Sequence, residues 1–121
     1  MAKYNIVQEK SFAFAVRIIN LYKYLQIEKK EFVLSKQVLR SGTSIGANIE
    51  EGIGGQSDKD FLCKLSIAYK ETRETIYWIR LLFATDFISD EQKNSIINDA
   101  DELCKILAKI ILTSKQKSSK Q

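Results

Sequence analysis

The sequence predicts an all-α protein, an antiparallel up-down-up-down four-helix bundle, and three observations carry that prediction. Four stretches repeat apolar residues at steps of three and four, the spacing of one helix face. Short connections join them, so each helix must fold back beside its predecessor. The 121 residues contain no proline, the residue that breaks helix interiors. A chain of this length holds one domain with one core, and a composition 45% hydrophobic and 28% charged supplies the material to fill it.

The first helix is expected from Ser11 to Leu25. Phe12, Val16, Ile19 and Tyr22 follow one line along it, and Phe14, Ile18, Leu21 and Leu25 a second line beside the first, which makes a wide apolar face. The charged stretch Glu28-Lys29-Lys30-Glu31 separates it from a second helix, whose seam runs through Leu34, Val38, Ser41, Ile45 and Asn48. Gly42 and Gly46 lie inside that helix, each costing roughly 1 kcal/mol relative to alanine. With Ser41, Ser44 and Ala47 they form a strip of small residues that lets a neighbouring helix approach closely. The Asn48 amide, on an apolar seam, needs hydrogen-bond partners and is expected to tie two helices or a loop backbone together. Gly52-Ile53-Gly54-Gly55 is expected to end the helix through the left-handed cap that glycine readily adopts.

Ser57 is the N-cap candidate for the third helix, with Asp58 and Asp60 in the first turn, where carboxylates complement the helix dipole. The seam there steps through Leu62, Leu65, Tyr69, Thr72, Ile76, Ile79 and Phe83 without a miss, and Ile76 at its centre is expected to be fully buried. Lys70 and Glu74 have the spacing of a weak surface ion pair. Ser89-Asp90-Glu91-Gln92 reads as a capping box opening the fourth helix, which runs through Ile96, Ala100, Leu103, Leu107 and Ile110. The bundle domain is thus assigned residues 1–113. Residues 114–121 have no apolar side chain and are expected to form a disordered lysine-rich tail. The apolar faces, with Phe14, Tyr22, Tyr77, Trp78 and Leu82, exceed what one core needs, so other copies of the chain are expected to cover part of them.

Catalytic chemistry finds few candidates. The chain has no histidine, which removes the usual triads, most zinc hydrolase sites and the Glu-x-x-His ligands of a di-metal bundle. Cys63 and Cys104 have no second ligand beside them and read as reduced core residues. Glu50 and Glu51 point about 100° apart on a helix and do not converge on one atom. The glycine-rich stretch after them follows a helix rather than a strand and lacks the Lys-Ser/Thr of a phosphate loop. No catalytic residue, metal ligand or cofactor site is assigned, and the protein is expected not to be an enzyme. No apolar run approaches a membrane span, and MAKYNIVQEK lacks a signal-peptide core, so no membrane partner and a cytoplasmic location are expected.

Of the 19 basic side chains, Lys115, Lys117 and Lys120 lie in the tail; the other 16 face 15 acidic ones, leaving the body at net +1. A body so balanced is no cationic clamp by itself. Lys36 and Arg40 are one turn apart, Arg73 and Arg80 two turns, and Arg17 and Lys23 share the first helix. Alone these are solvated faces, but symmetry in an oligomer multiplies each of them.

The segment Gln37 to Gly52, with its Arg40-Ser41, Ser44-Ile45-x-x-Asn48-Ile49 and Glu51-Gly52 pattern, resembles the signature of the 23S rRNA intervening-sequence proteins. The likeness continues through Phe61, Leu65, Ser66, Ile67, Ala68 and Glu74, and the helical layout resembles the family from about residue 5 to residue 113. Many members have Gly-Ser where this chain has Lys70-Glu71, which suggests a different branch. The resemblance implies a small bacterial four-helix bundle assembling as a homopentamer, with a related branch that binds nucleic acid through the basic surface of its pentamer. From their places in the chain, Asn48, Gly42, Gly46 and Gly52 are read as structural positions. Together with the basic residues, the resemblance points to a non-enzymatic function, binding of RNA or DNA through Arg17, Lys36, Arg40, Lys115, Lys117 and Lys120 of the assembled oligomer. The alternative, which the near-neutral body favours, is a protein-interaction scaffold that touches no nucleic acid.

Overall fold

The computed structural model describes residues 4–119 and contains four helices: α1 (Asn5–Ile27), α2 (Leu34–Ile53), α3 (Asp58–Ala84) and α4 (Asp90–Ser119). Each packs against its neighbours in chain order, α2 most intimately with α3, and α1 meets α4 along the slimmest contact to close the bundle. The expected antiparallel four-helix bundle is the fold, and no strand occurs among the described residues.

The core takes one line from each helix. Helix α1 contributes Phe14, Ile18, Leu21 and Leu25, the second of its two expected apolar lines, with Val7 ahead of them in a helix that starts earlier than expected; Phe12, Val16 and Ile19 of the first line face outward. Helix α4 buries Ile96, Ala100, Leu103 and Leu107 along the expected seam. The α3 seam is rotated from expectation. Its buried line is Leu65, Ala68, Thr72, Thr75, Ile79 and Leu82, while Leu62, Tyr69, Ile76 and Phe83 are only half-buried. The smaller Ala68 and Thr75 turn inward because α2 lies so close: the Thr75 hydroxyl donates to Ser41 Oγ at 2.8 Å between the two helices. Apolar size alone placed the seam too near the larger residues. Of the apolar excess assigned to other copies, Phe14 and Leu82 are instead core, Tyr22 and Trp78 are half-buried, and Tyr77 is exposed.

The small-residue strip of α2 works unevenly. A Cβ on Gly42 would stand 2.8 Å from both Ile18 Cγ1 and Cγ2, whereas at Gly46 the nearest atom, Ser11 Oγ, is 3.5 Å away. Gly52 is buried against α3, where a Cβ would meet Leu65 Cδ1 at 3.0 Å. Asn48 departs from its expected role. It is half-buried and donates through Nδ2 to Ser44 O of its own helix at 2.8 Å, because the deeply buried position one step on belongs to Ile49.

The helix ends also differ in part. Ser57 caps α3, accepting from the Asp60 N–H at 3.1 Å, and Ser89 and Gln92 form the reciprocal capping box at α4. No glycine adopts positive φ among the described residues; the left-handed positions are Lys30 and Asp86. After Ala84 the Phe87 and Asp86 N–H groups donate back to Leu82 and Phe83 carbonyls, a Schellman ending around Asp86. Glu31, expected only as part of a charged spacer, is 8% exposed and caps α2. Its carboxylate accepts from the N–H groups of Ser35 at 2.6 Å, Leu34 at 2.9 Å and Val33 at 3.2 Å. The segment expected to be a disordered tail is helical through Ser119. A helix once formed extends at little cost, and lysine and glutamine are good helix formers. Lys120 and Gln121 lie outside the described residues.

This packing makes two contrasts measurable. Gly42→Ala should lower stability by about 1–3 kcal/mol, since Ile18 is fully buried and cannot yield, while Gly46→Ala should raise it by up to about 1 kcal/mol through helix propensity; denaturant melts of the two variants check the difference. Burial alone would push the Glu31 carboxyl up, but the three backbone N–H groups outweigh it and hold the group below the ordinary carboxylate range. A carboxyl whose pKa is lower folded than unfolded contributes in full above its unfolded value and loses that contribution as pH falls through the folded one. Glu31→Gln should therefore cost about 0.5–2 kcal/mol at neutral pH, with the difference from the parent vanishing in acid, as thermal melts across pH would show.

Candidate functional site

The expected nucleic-acid residues are dispersed, and two are engaged in holding helices together. Arg17 reaches from α1 to α4, where Nη1 donates to Asp99 Oδ2 at 2.7 Å and to Ser95 O at 3.1 Å and Nη2 donates to Ser95 Oγ at 2.5 Å. Lys10 bonds Glu102 at 2.8 Å across the same contact, and this bond raises the lysine pKa. Two cations therefore reinforce the slimmest helix contact. Arg40 bridges α2 to α3, pairing with Glu71 at 3.3 Å and with Glu74; Glu74 also accepts from Trp78 Nε1 at 2.9 Å. The Lys70–Glu74 pair expected along α3 gives way to this bridge between helices. Lys36 is exposed one turn from Arg40. Lys115 and Lys117 stand on the last turns of α4, at the opposite end of the bundle from Lys36, and Lys120 falls outside the described residues.

A different set of basic residues is brought together. Lys70, Arg73, Tyr77 and Arg80 step by three, four and three along the outward face of α3 and are all exposed, Tyr77 to 51%. None of these three cations, nor Lys36, makes an ion pair among the described residues. At 1.5 Å per residue the line spans about 15 Å, the axial length of about four phosphates on one strand of a duplex. The sequence carried a signal for it, the two-turn spacing of Arg73 and Arg80. Glu71 and Glu74 lie among these residues in the chain, so a linear reading sees alternating charge. In the helix both acids turn toward Arg40, and the outward line keeps only cations and one aromatic ring.

The thiols offer no clustered chemistry. Cys63 is exposed rather than part of the core, because it lies opposite the buried line of α3, and Cys104 is half-buried. Burial pushes the Cys104 thiol up, against the opposing pull of Arg73, so it stays protonated and weakly nucleophilic. No group of three or more acidic or Cys side chains is placed to hold a metal ion among the described residues, and none of the described helices is long and apolar enough to cross a membrane.

The end of the bundle holding the α2–α3 connection contains a cleft of about 590 Å³. Tyr4 and Phe61 form part of its wall with ring centroids 5.0 Å apart and planes tilted by 35°. Helix α4 supplies Lys109, Ile110, Thr113 and Lys117. Its last turns are therefore a wall of the cleft.

Fold and surface together define a small helical bundle whose charge is organised by helix face. Residues 3–109 match the 23S rRNA-intervening sequence proteins, and the chain belongs to that family. It is also similar to a crystal structure of a protein of unknown function from the S23 ribosomal protein family of Bacteroides thetaiotaomicron. The two share 59% identity over 90% of this chain and 97% of the other, with a TM-score of 0.89. No curated protein matches the chain.

Proposed function

We propose that this family member is a non-enzymatic, cytoplasmic homo-oligomer that binds RNA or DNA through its cationic helix faces. The observation that carries the reading is the exposed line Lys70, Arg73, Tyr77 and Arg80, three unpaired cations around one aromatic ring. Cations at this spacing suit a phosphate backbone and an exposed ring suits an unpaired base. Lys36 and the α4 lysines add charge elsewhere, whereas Arg17 and Arg40 act first as helix clasps. Self-association is supported by the outward apolar line of α1, where Phe12 is 72%, Val16 45% and Ile19 38% exposed. A second copy of the chain covering that line would remove apolar surface from water and multiply each cation by the subunit number. Five subunits is the number the family resemblance implies.

Changing Lys70, Arg73 and Arg80 together to glutamate should weaken RNA and DNA of every sequence about equally, because phosphate contacts position without specifying. The dependence of affinity on salt should flatten by about one unit of slope for each phosphate-bound cation so replaced. Anisotropy titrations of the intact oligomer across salt concentrations measure both. A parent protein that binds no nucleic acid at low salt would leave the protein-interaction scaffold as the better reading. Phe12→Glu with Val16→Glu should yield a folded monomer by light scattering; an unchanged mass would place the contact between copies elsewhere.

A further inference from the structure

We propose that the cleft at the α2–α3 end of the bundle is a binding site for a nucleoside monophosphate. This goes beyond the reading of the α3 face as a nucleic-acid surface and rests on the chemistry of the cleft alone. Its volume of about 590 Å³ lies within the range of small-ligand sites. The tilted pair of Tyr4 and Phe61 presents aromatic surface, on which a flat heterocycle stacks whatever its sequence identity. Ile110 continues the apolar wall from α4.

The polar lining is divided by sign. Lys109 and Lys117 both come from α4 and Asp58 from the first turn of α3. The lysines lie eight residues apart, about 12 Å along the helix, so cations flank the cleft at two levels of α4 and either can meet an anion there. A phosphate placed beside α4 would meet these cations, whereas Asp58 belongs to the other wall, on α3. That carboxylate is left to accept from a ribose hydroxyl or an exocyclic amine. An aromatic body, a hydroxyl-bearing middle and an anionic end match the three parts of the lining in turn. A purely apolar ligand would strand the lysines, and a bare anion would leave the aromatic wall unused.

The experiment is a titration of the full chain with AMP, adenosine and ribose 5-phosphate, followed by amide and side-chain NMR shifts. AMP should saturate the protein and bind about tenfold more tightly than ribose 5-phosphate, the order of effect that stacking one base provides, and also more tightly than adenosine, which lacks the anion that the lysines would hold. Shifts should centre on Tyr4, Phe61 and Lys109. Phe61→Ala should weaken AMP by about tenfold through lost stacking and Lys109→Ala by about tenfold through a lost charge-assisted contact, while Lys36→Ala, at the other end of the bundle, should leave it unchanged. Lys109 is exposed, so its variant keeps the test valid should Phe61→Ala unfold. Absence of saturation at millimolar AMP, or equal affinity for AMP and either fragment, overturns the assignment. So does binding indifferent to Lys109→Ala. The variant with Lys70, Arg73 and Arg80 reversed separates this site from the proposed function, because it should bind AMP normally. A parent protein that binds RNA but not AMP would remove the cleft proposal alone, and the reverse pattern would remove the nucleic-acid reading alone.

Discussion

The contact between Gly42 of α2 and Ile18 of α1 leaves no room for a methyl group, since an added Cβ would stand 2.8 Å from two carbons of a fully buried side chain. Small residues adjoin this point along α2: Ser41 faces Thr75 of α3, and Gly46 lies at ordinary contact distance from Ser11 of α1. Helix α2 is thereby drawn close to two neighbours at once, and it is the helix with the least bulk to bury. The price in helix propensity is offset by dispersion contacts and by buried hydroxyls that bond across the interface. The consequence reaches α3, which turns Ala68 and Thr75 inward beside Leu65, Thr72, Ile79 and Leu82 and leaves Leu62, Tyr69, Ile76 and Phe83 on the flanks. Helix α4 is left to supply large apolar residues on the far side, which it does through Leu103 and Leu107.

Tight packing on the α2 side leaves α1 and α4 only a narrow contact, and charge takes over where apolar area is short. Arg17 and Lys10 both cross that contact to acids on α4. Partly exposed pairs of this kind contribute little individually, but Arg17 is fixed by three acceptors on one partner helix, so it sets register as well as adding attraction. Arg40 plays the corresponding part between α2 and α3 by gathering Glu71 and Glu74. That arrangement has a functional side effect: removing the two acids from the outer face of α3 leaves Lys70, Arg73 and Arg80 without local neutralisation.

The fold class, the four helices, the α4 seam and the caps at Ser57 and Ser89 were all legible in the sequence, because each depends on spacing or on side chains close in the chain. The depth of individual positions was less so. Ile76 and Asn48 fell on regular heptads, yet the buried lines run through Thr75 and Leu82 in α3 and through Ile49 in α2. Which of two adjacent lines faces inward is decided by the closest neighbour, and the small residues of α2 set that distance. Glu31 was invisible as a cap because it stands two residues before Val33, the cap position of α2, and is brought back to the helix by the left-handed turn at Lys30. The glycines pointed to a helix end at the right place, but backbone approach, not positive φ, is what they provide. The candidate site was legible only in fragments. Arg17 and Arg40 were recognisable as basic residues on helices, while their acidic partners lie 82 and as few as 31 positions away in the chain.

Charge in this protein is a property of faces, which is why composition located it poorly. A count along α3 alternates sign and cancels; the same residues wrapped at 3.6 per turn separate into an acidic flank bound by Arg40 and a cationic outer line. The end of the chain follows the same rule. Ser114 to Gln121 has the composition of a solvated tail, yet α4 continues to Ser119, with Lys117 in its last turn, where a cation complements the helix dipole. On a flexible tail a lysine would sample a wide volume and lend only diffuse attraction. On a continuing helix Lys109, Thr113 and Lys117 recur every four residues along one strip, so the cations hold a fixed register against the aromatic pair beside the α2–α3 connection. Extending one helix by less than two turns thus converts a feature that composition reads as diffuse charge into the wall of a cleft.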